Sequence, residues 1–363
     1  MSLRGNGVHV AAMPGDGIGV EVMEAALAVL DKLARRHGLG LTIETLRAGA
    51  FAYRDTGSAM TEEVFRRAEA ADAILLGAMG WPGIRYPDGT EIAPQLELRQ
   101  RLGLYAGVRP IRAIPGVPLA LADPRARDID LVIIRESTEG LFWARGRGEV
   151  IGDSEARDTM VITRVTTERL SRFAFRLAER RAGRLGRPQK VTLVDKANVF
   201  TSMAFMRKVF REVAAGFPHV PTGEHYVDAM ALDLLRRPWD FDVLPMENMF
   251  GDILSDLGAG LIGGMGYAPS ADIGDAHAVF QPSHGTGPDI AGKGLANPTA
   301  MLLSAAMMLD WLAERGAGQA WMDAGAELRG AVDRAFAGGL RTAEFGGAGT
   351  AEVTACIIDR TGK

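Results

Sequence analysis

Residues 8–22 read Val8-His-Val-Ala-Ala-Met-Pro-Gly-Asp-Gly-Ile-Gly-Val-Glu-Val22, and this stretch sets the fold class. The apolar run from Val8 to Met13 predicts a buried strand. The glycine-rich turn after it opens a helix whose apolar face repeats at helical spacing. The turn is not the dinucleotide fingerprint G-x-G-x-x-G, because Val20 stands where a glycine is required.

The same alternation of short apolar runs and helical patterns continues along the chain. Four further runs predict buried strands, at residues 73–76, 131–134, 191–194 and 241–244. A later helix is predicted to begin at the cap Asn297-Pro298 and to end near Gly316. We therefore expect an α/β architecture with substantial parallel pairing.

Composition excludes several classes of protein. The 363 residues suffice for a sizeable core in two lobes, and the net charge of −4 predicts no attraction to nucleic acid or anionic membranes. The densest basic cluster, Arg176 to Arg187, is interpreted as a solvated helix face without a readout motif. We expect neither nucleic acid nor membrane as a partner.

Cysteine content and the N-terminus bear on the compartment. Cys356 is the single cysteine, so no internal disulfide can form, which fits a reducing compartment. No stretch of about 18 apolar residues exists, and residues 1–7 lack an apolar signal core. A cytoplasmic location is therefore expected.

The segment Met249-Phe-Gly-Asp-Ile-Leu-Ser-Asp256 is the most informative for chemistry. Asp252 and Asp256 are four residues apart and share one face of a helix, where their like charges repel unless a cation lies between them. Carboxylate oxygens of this kind suit Mg²⁺ or Mn²⁺. The alternative is a pair of solvent-exposed or helix-start aspartates.

Basic side chains supply a second set of candidates. Lys196 follows a predicted strand, where α/β sites gather and where a lysine near a cation can serve as a base. Planar guanidinium groups at Arg99, Arg109 and Arg135 suit bidentate carboxylate binding. Each of these residues, taken alone, is also compatible with a structural or surface role.

Two glycine motifs are open to interpretation. His284-Gly-Thr-Gly-Pro-Asp289 is a polar loop whose backbone N–H groups can approach a ligand closely, or else a plain surface turn. Gly258-Ala-Gly-Leu-Ile-Gly263 matches G-x-G-x-x-G, but no strand is predicted before it, so the match is interpreted as coincidence.

Together these motifs resemble the isocitrate/3-isopropylmalate dehydrogenase family of β-decarboxylating dehydrogenases. The resemblance spans nearly the whole chain, from Pro14-Gly-Asp-Gly-Ile-Gly-Val-Glu-Val22 to Pro298. Its strongest matches are Asn248-Met-Phe-Gly-Asp-Ile-Leu-Ser-Asp256 and His284-Gly-Thr-Gly-Pro-Asp-Ile-Ala-Gly-Lys-Gly-Leu-Ala-Asn-Pro298.

The resemblance implies a two-lobed fold with a discontinuous first domain, and a homodimer with sites shared between subunits. Residues 1–106 and 263–363 would form the cofactor-binding domain, and 107–262 the substrate, metal and dimerisation domain. The Gly- and charge-rich segment 145–163, which ends in the β-like run Thr159 to Thr163, would be an arm that clasps the dimer.

Site roles also follow from the resemblance. Arg99, Arg109 and Arg135 would hold substrate carboxylates, and Asp252 and Asp256 would bind the cation. Lys196 and Asp228 would reach in from the partner subunit, Lys196 as the catalytic proton relay and Asp228 as its tuning group and a metal ligand.

The resemblance assigns the cofactor to the loop at 284–289. His284 would pack near the adenine, and Asp289 would bind the ribose hydroxyls and repel a 2′-phosphate, which favours NAD over NADP. The full set of implied cofactor residues is Ile18, His284, Gly285, Thr286, Gly287, Asp289 and Asn297.

Departures from the family pattern leave both the decarboxylation step and the substrate open. Phe142 occupies the place of the tyrosine that usually protonates the enol after decarboxylation, and phenylalanine has no ionisable proton. Gln95 and Leu96 precede Arg99, and Gln95 can hydrogen-bond a polar substituent of the substrate. A 3-isopropylmalate-like acid leads by overall resemblance, with tartrate, D-malate, isocitrate and homoisocitrate as alternatives.

Two rivals belong to other classes. A catalytically silent regulatory paralogue would explain Phe142, whereas retention of the charged site residues argues against it. A nucleotide-binding module without redox activity would bind NAD independently of Mg²⁺ and of any hydroxy acid.

Overall fold

The computed structural model describes residues 7–362, and by its internal contacts the chain divides into two compact units. Unit 1 consists of residues 7–103, Ile114–Pro118 and 262–362, and unit 2 of Leu104–Ala113 and Leu119–Leu261. The sequence interpretation set the boundaries at 106/107 and 262/263 and did not separate Ile114–Pro118. Most of the segment expected to lack a signal core, residues 1–6, lies outside the described residues.

Helices and strands alternate through both units, as the sequence predicted. The strands are β1 (Val8–Gly15), β2 (Leu41–Thr45), β3 (Ala73–Ala78), β4 (Ala106–Arg112), β5 (Asp130–Glu136), β6 (Glu149–Ile151), β7 (Glu155–Arg157), β8 (Val191–Asp195), β9 (Thr222–Tyr226), β10 (Val243–Met246), β11 (Pro269–Ile273) and β12 (Ala278–Pro282). The helices are α1 (Ile18–His37), α2 (Ala50–Thr56), α3 (Glu62–Ala70), α4 (Pro94–Arg101), α5 (Arg164–Leu185), α6 (Thr201–Ala214), α7 (Val227–Arg236), α8 (Asn248–Leu261), α9 (Thr299–Leu312), α10 (Gln319–Ala337) and α11 (Thr350–Ile358).

In unit 1 the strands follow the order β2-β1-β3-β12-β11. Neighbours pair in parallel except β11 and β12, which are antiparallel. Helix α1 packs on β3 and α9 through the predicted apolar face, in which Val22, Val29 and Leu33 are fully buried. The turn between β1 and α1 carries Asp16 and Gly17 at the carboxyl end of β1, the end at which α/β sheets bind ligands.

In unit 2 the strands follow the order β4-β5-β10-β8-β9, with all neighbours parallel except β4 and β5. Helix α8 packs on β5 and begins two residues after β10 ends. Arg135 lies opposite Met246 at the carboxyl ends of β5 and β10, and Lys196 directly follows β8. The parallel arrangement therefore brings candidate residues from separate parts of the sequence to one edge.

Four local expectations were wrong in detail. The fifth predicted strand begins at Val243 rather than Phe241, because the Phe241 N–H bonds back to Pro238 in a 3₁₀ turn. The run 159–163 forms no strand, and only Val161 makes a bridge, to Gly140. The hairpin of segment 145–163 is instead β6 and β7.

The remaining two corrections concern helices. Helix α9 begins at Thr299, whose N–H is capped by the Asn297 side chain, and it ends at Leu312 before a π turn over Ala313–Ala317. The basic face of α5 is not wholly solvated, since Arg181 is buried against Asp130 and Gln189.

Across residues 7–362, no helix has the length and apolar character needed to cross a bilayer.

Candidate active site

Two carboxylates lie one helical turn apart on α8 of unit 2. Asp252 accepts a hydrogen bond from the Arg135 guanidinium, and Arg135 also donates through Nε to Asn248 Oδ1 at 2.8 Å. Gly251 permits this contact, because a Cβ there would lie 2.6 Å from the Cβ of Arg135. The glycine in the Asp252 motif thus lets the helix approach β5 closely enough to join the two charges.

The electrostatics of this face favour a cation. Although Asp256 is exposed, partial desolvation by the surrounding protein raises the pKa of its carboxyl, and the neighbouring Asp252 charge raises it further. The positive charges of Arg109 and Arg135 oppose that rise. Because the two carboxylates repel one another, a divalent ion ligated by both would relieve the repulsion, and hard oxygen donors fit Mg²⁺ or Mn²⁺.

The aromatic ring of Phe142 borders the same face. A 3₁₀ turn over Leu141–Ala144 carries it, and the Arg135 guanidinium lies 4.9 Å from its ring centroid. The buried Glu247 carboxylate holds the turn by accepting the Leu141 N–H at 3.0 Å. Phe142 therefore meets Arg135 through its π face and offers no hydroxyl there.

Lys196 and Asp228 form a second pair in unit 2. Lys196 Nζ donates to Asp228 Oδ1 at 2.5 Å, and the ammonium group holds the pKa of Asp228 below its usual value. Within residues 7–362 of this single chain, no three acidic, histidine or cysteine side chains gather into a group that could hold a metal. Asp228 is thus not joined to Asp252 and Asp256 in one chain.

The third arginine, Arg99, lies on α4 of unit 1. Its Nε donates to Asp272 Oδ2 at 2.9 Å, and Gln281 donates to the same oxygen at 2.7 Å. Asp272 is only 1% exposed, so the pair is desolvated and fixes the Arg99 side chain strongly. One turn earlier on α4, Gln95 has a buried Oε1 that meets no hydrogen-bond donor among the described residues.

The loop at residues 284–289 docks on the first turn of α1 in unit 1. The Ile18 N–H donates to Thr286 O at 2.9 Å, and Gly287 lies beside the Ile18 side chain. Gly17 has φ +56°, and a Cβ there would lie 2.2 Å from Thr286 O. The glycine-rich turn at residues 15–19 and the loop at residues 284–289 thus form one surface made mainly of backbone.

The polar side chains of this loop suit a nucleotide. Burial lowers the pKa of His284, which favours the neutral ring, and its Nε2 has no hydrogen-bond partner within residues 7–362. Asp289 is exposed, and Asn297 Nδ2 donates to Glu344 Oε1 at 2.9 Å. A buried ring nitrogen without a partner among these residues, in the same loop as an exposed carboxylate, fits an adenosine group with its ribose hydroxyls.

Sequence reasoning missed several residues that support the site. Asn248, Glu247 and Asp272 each hold a candidate residue or its turn by hydrogen bonds. The signal for Asp272 is present in the sequence, because it is a carboxylate within an otherwise apolar strand, where an unpaired charge would be costly. Asn248 and Glu247 carry no such signal, since polar residues at a helix start are common.

Comparison with known proteins identifies the chain's relatives. The family model described as isocitrate/isopropylmalate dehydrogenase matches residues 9–360. Among curated proteins, the 3-isopropylmalate dehydrogenase of Chlorobaculum tepidum is 36% identical, covering 97% of this chain and 99% of its own. The 3-isopropylmalate/3-methylmalate dehydrogenase of Methanocaldococcus jannaschii is 40% identical, covering 93% of this chain and 94% of its own.

Solved structures agree with these matches. The isocitrate dehydrogenase of Methylococcus capsulatus superposes with a TM-score of 0.83 at 34% identity, covering 98% of this chain and 100% of its own. A β-decarboxylating dehydrogenase of Thermococcus kodakarensis in its apo form gives a TM-score of 0.76 at 37% identity, with 98% and 96% covered.

Proposed function

Because this chain belongs to the isocitrate/isopropylmalate dehydrogenase family, we propose that it is an NAD-dependent, divalent-metal-dependent dehydrogenase of a small 2-hydroxy di- or tricarboxylic acid. The observation that carries the proposal is the α8 face, where Asp252 and Asp256 repel one another beside Arg109 and Arg135. Such a face suits a metal-bound hydroxy acid whose carboxylates pair with the arginines.

The chemistry divides between bound groups and side chains of the protein. A divalent ion on the carboxylates supplies Lewis-acid polarisation of the substrate 2-hydroxyl, and NAD supplies the hydride acceptor. Arg99, Arg109 and Arg135 bind and orient the substrate carboxylates. As the neutral amine, Lys196 Nζ accepts the hydroxyl proton and becomes an ammonium group, which Asp228 Oδ1 binds at 2.5 Å.

We propose NAD rather than NADP because the side chain of Asp289 is negatively charged. Asp289 is exposed beside the 284–287 loop, where its carboxylate can accept hydrogen bonds from ribose hydroxyls and would repel a 2′-phosphate. Ile18, His284, Gly285, Thr286, Gly287 and Asn297 complete the proposed cofactor site.

A cytoplasmic homodimer is part of the proposal, with Lys196 and Asp228 acting in the partner's site. It is supported by exposed apolar side chains on α7, α8 and the β6–β7 hairpin, which are Leu232, Leu235, Ile253 and Val150, the last two being 61% and 78% exposed. Helices α7 and α8 contact one another, and apolar side chains exposed on both of them support an association surface there. Residues 7–362 of one chain bring no three carboxylates together, which favours the same arrangement.

Phe142 favours a second candidate reaction at the same site. Without an ionisable hydroxyl at this position, oxidation of the alcohol can proceed while protonation of the decarboxylated product relies on Lys196 or a water molecule. We therefore keep oxidation without rapid decarboxylation as the alternative reaction. A regulatory paralogue without any catalytic activity is a further alternative. A 3-isopropylmalate-like acid leads the substrates, ahead of tartrate, D-malate, isocitrate and homoisocitrate.

A substrate screen tests the proposal. Purified protein with Mn²⁺ is assayed for NADH formation across 2-hydroxy diacids and triacids, with CO₂ detected in parallel and mass measured by light scattering. We expect NADH with one acid, loss of activity in excess chelator, and a dimer mass. NAD binding unaffected by metal, with no NADH from any acid, would instead favour a nucleotide-binding module.

A further inference from the structure

Asp16, in the turn between β1 and α1, is buried and is bonded by backbone amides. Its Oδ2 accepts the N–H groups of Ala50 at 2.6 Å and Gly80 at 2.9 Å, and its Oδ1 accepts that of Phe51 at 2.9 Å. The residue is 0% exposed. Three amides from two separate segments therefore converge on one carboxylate, and hydrogen bonds to a charged acceptor are about twice as strong as neutral ones.

On one side, Asp16 belongs to the turn that meets the proposed cofactor loop. The Asp16 N–H donates to Ala78 O at 2.7 Å, and two residues later the Ile18 N–H donates to Thr286 O at 2.9 Å. The backbone of Asp16 therefore lies two residues from the amide that binds the loop.

On the other side, Gly80 opens a short hairpin formed by residues 81–91. Its bridges join Trp81 to Ile84 and Arg85 to Glu91. The hairpin packs on α2 through two aromatic pairs, Phe51 with Trp81 and Tyr53 with Tyr86, each with ring centroids 5.1 Å apart.

The hairpin runs directly into α4, which carries two proposed substrate residues. Ile92 is fully buried in a cluster with Ala50 and Ala59, and it precedes α4 with Gln95 and Arg99. The Asp16 carboxylate therefore fixes α2 and the start of the hairpin, and through them the approach to α4.

We propose that Asp16 is a positioning residue that couples the cofactor loop to the substrate side of unit 1. Its carboxylate ties the turn holding Thr286 to the 81–91 hairpin and α4, so binding of dinucleotide orders the segment that presents Gln95 and Arg99. This inference rests on the proposed function, because it takes the 284–289 loop as the dinucleotide site.

The first experiment uses the unaltered protein and hydrogen–deuterium exchange with and without NAD. We expect NAD to slow exchange both in peptides covering 284–292 and in peptides covering 79–92. Protection confined to 284–292 would overturn the coupling. Failure of NAD to bind at all, seen by calorimetry, would instead count against the proposed cofactor site and would remove the premise of the coupling.

The second experiment is the variant Asp16→Asn, which places an N–H₂ group against at least one amide donor. We expect about 10- to 100-fold faster exchange in peptides 79–92 and a similar rise in the KM of both NAD and the hydroxy acid, with a smaller change in kcat. The matched control is Asp72→Asn, since within residues 7–362 Asp72 accepts one backbone N–H, from His9 at 2.8 Å, at the amino ends of β1 and β3.

The two variants separate positioning from general stability. If Asp16→Asn and Asp72→Asn lower the unfolding temperature alike and leave both KM values unchanged, Asp16 is only structural and the inference is wrong. If Asp16→Asn does not fold, the exchange experiment on the unaltered protein still decides the question.

Discussion

The α8 face of unit 2 and the 284–289 loop of unit 1 present different chemical groups. The α8 face consists of charged side chains, with Asp252 and Asp256 opposed by Arg109 and Arg135. The loop surface consists mainly of backbone. The Ile18 N–H donates a hydrogen bond to Thr286 O, and Gly17 leaves room for this contact because it has no side chain. We therefore expect removal of a charge to impair activity at the α8 face, and addition of a methyl group to disrupt the surface at the loop.

Removal of one charge from the α8 face is expected to have the largest effect. Asp252→Asn removes a proposed metal ligand and the partner of Arg135, so kcat/KM should fall on the order of 1000-fold. Steady-state kinetics over a range of Mn²⁺ concentrations measure the loss. The control is Glu168→Gln, which removes an exposed charge paired with Arg164 on α5. Equal activity of both variants would remove the distinction between the regions.

Addition of a methyl group to the loop surface is expected to rank second. Gly17→Ala combines a left-handed backbone with a Cβ 2.2 Å from Thr286 O, and should lower the free energy of unfolding by about 3 kcal/mol and weaken NAD binding. Gly38→Ala is the matched control, because Gly38 has φ +64° and no atom within 4 Å of its Cβ position. Gly38→Ala should lower the free energy of unfolding by about 1 kcal/mol and leave NAD binding unchanged. Calorimetry and thermal unfolding compare the two.

Glu136, which follows Arg135, allows the effect of a buried charge near the α8 face on the free energy of unfolding to be measured. Burial raises the pKa of Glu136 to about 7, although Thr138 and Glu139 N–H groups donate to it. A raised carboxyl pKa means that its stabilising contribution is complete below the unfolded value of 4.5 and is lost as the pH rises through about 7.

Glu136→Gln should therefore flatten the decline of stability between pH 4.5 and 7, a change of up to about 3 kcal/mol at pH 8. Denaturant unfolding at several pH values measures the slope. The same substitution at Glu155, on the exposed β6–β7 hairpin, is the control. An unchanged slope in Glu136→Gln would contradict the assignment.

The Asp289 carboxylate is a charged group in the loop region, and its proposed role in selecting NAD over NADP can be tested. Asp289→Lys should shift the ratio of kcat/KM for NADP over NAD by about 10- to 100-fold toward NADP, because a repelled 2′-phosphate becomes an attracted one. Asp323→Lys makes the same change on an exposed position of α10 and should leave the ratio alone. If the ratio of kcat/KM for NADP over NAD does not change in Asp289→Lys, the ribose of the cofactor does not bind next to residue 289.

The smallest expected effect concerns the ring beside the α8 face. Phe142→Tyr adds a hydroxyl next to Arg135, and CO₂ release should rise about 10-fold or more relative to NADH formation. Parallel assays of CO₂ and NADH on the same substrate give the ratio. No gain would mean that another group already supplies the proton.

The fold class, the family and most of the candidate residues could be predicted from the amino-acid sequence. Apolar runs predicted β1, β3, β5 and β8, because a strand buried on both faces must be continuously apolar. It could not predict β9 or β11, whose patterns include polar residues such as Glu224 and Asp272. It also misjudged Arg181, because a basic helix face looks alike in the sequence whether or not a distant carboxylate pairs with it.

The hydrogen-bond partners of these residues could not be predicted and are seen only in the folded chain. Arg135 bonds Asn248 and Asp252 more than a hundred positions away, and Asp16 gathers amides from Ala50 and Gly80. The physical reason is that hydrophobic periodicity records the environment of each residue along its own helix or strand, whereas a hydrogen bond depends on distance in space. Chain topology sets that distance, and no local pattern encodes it.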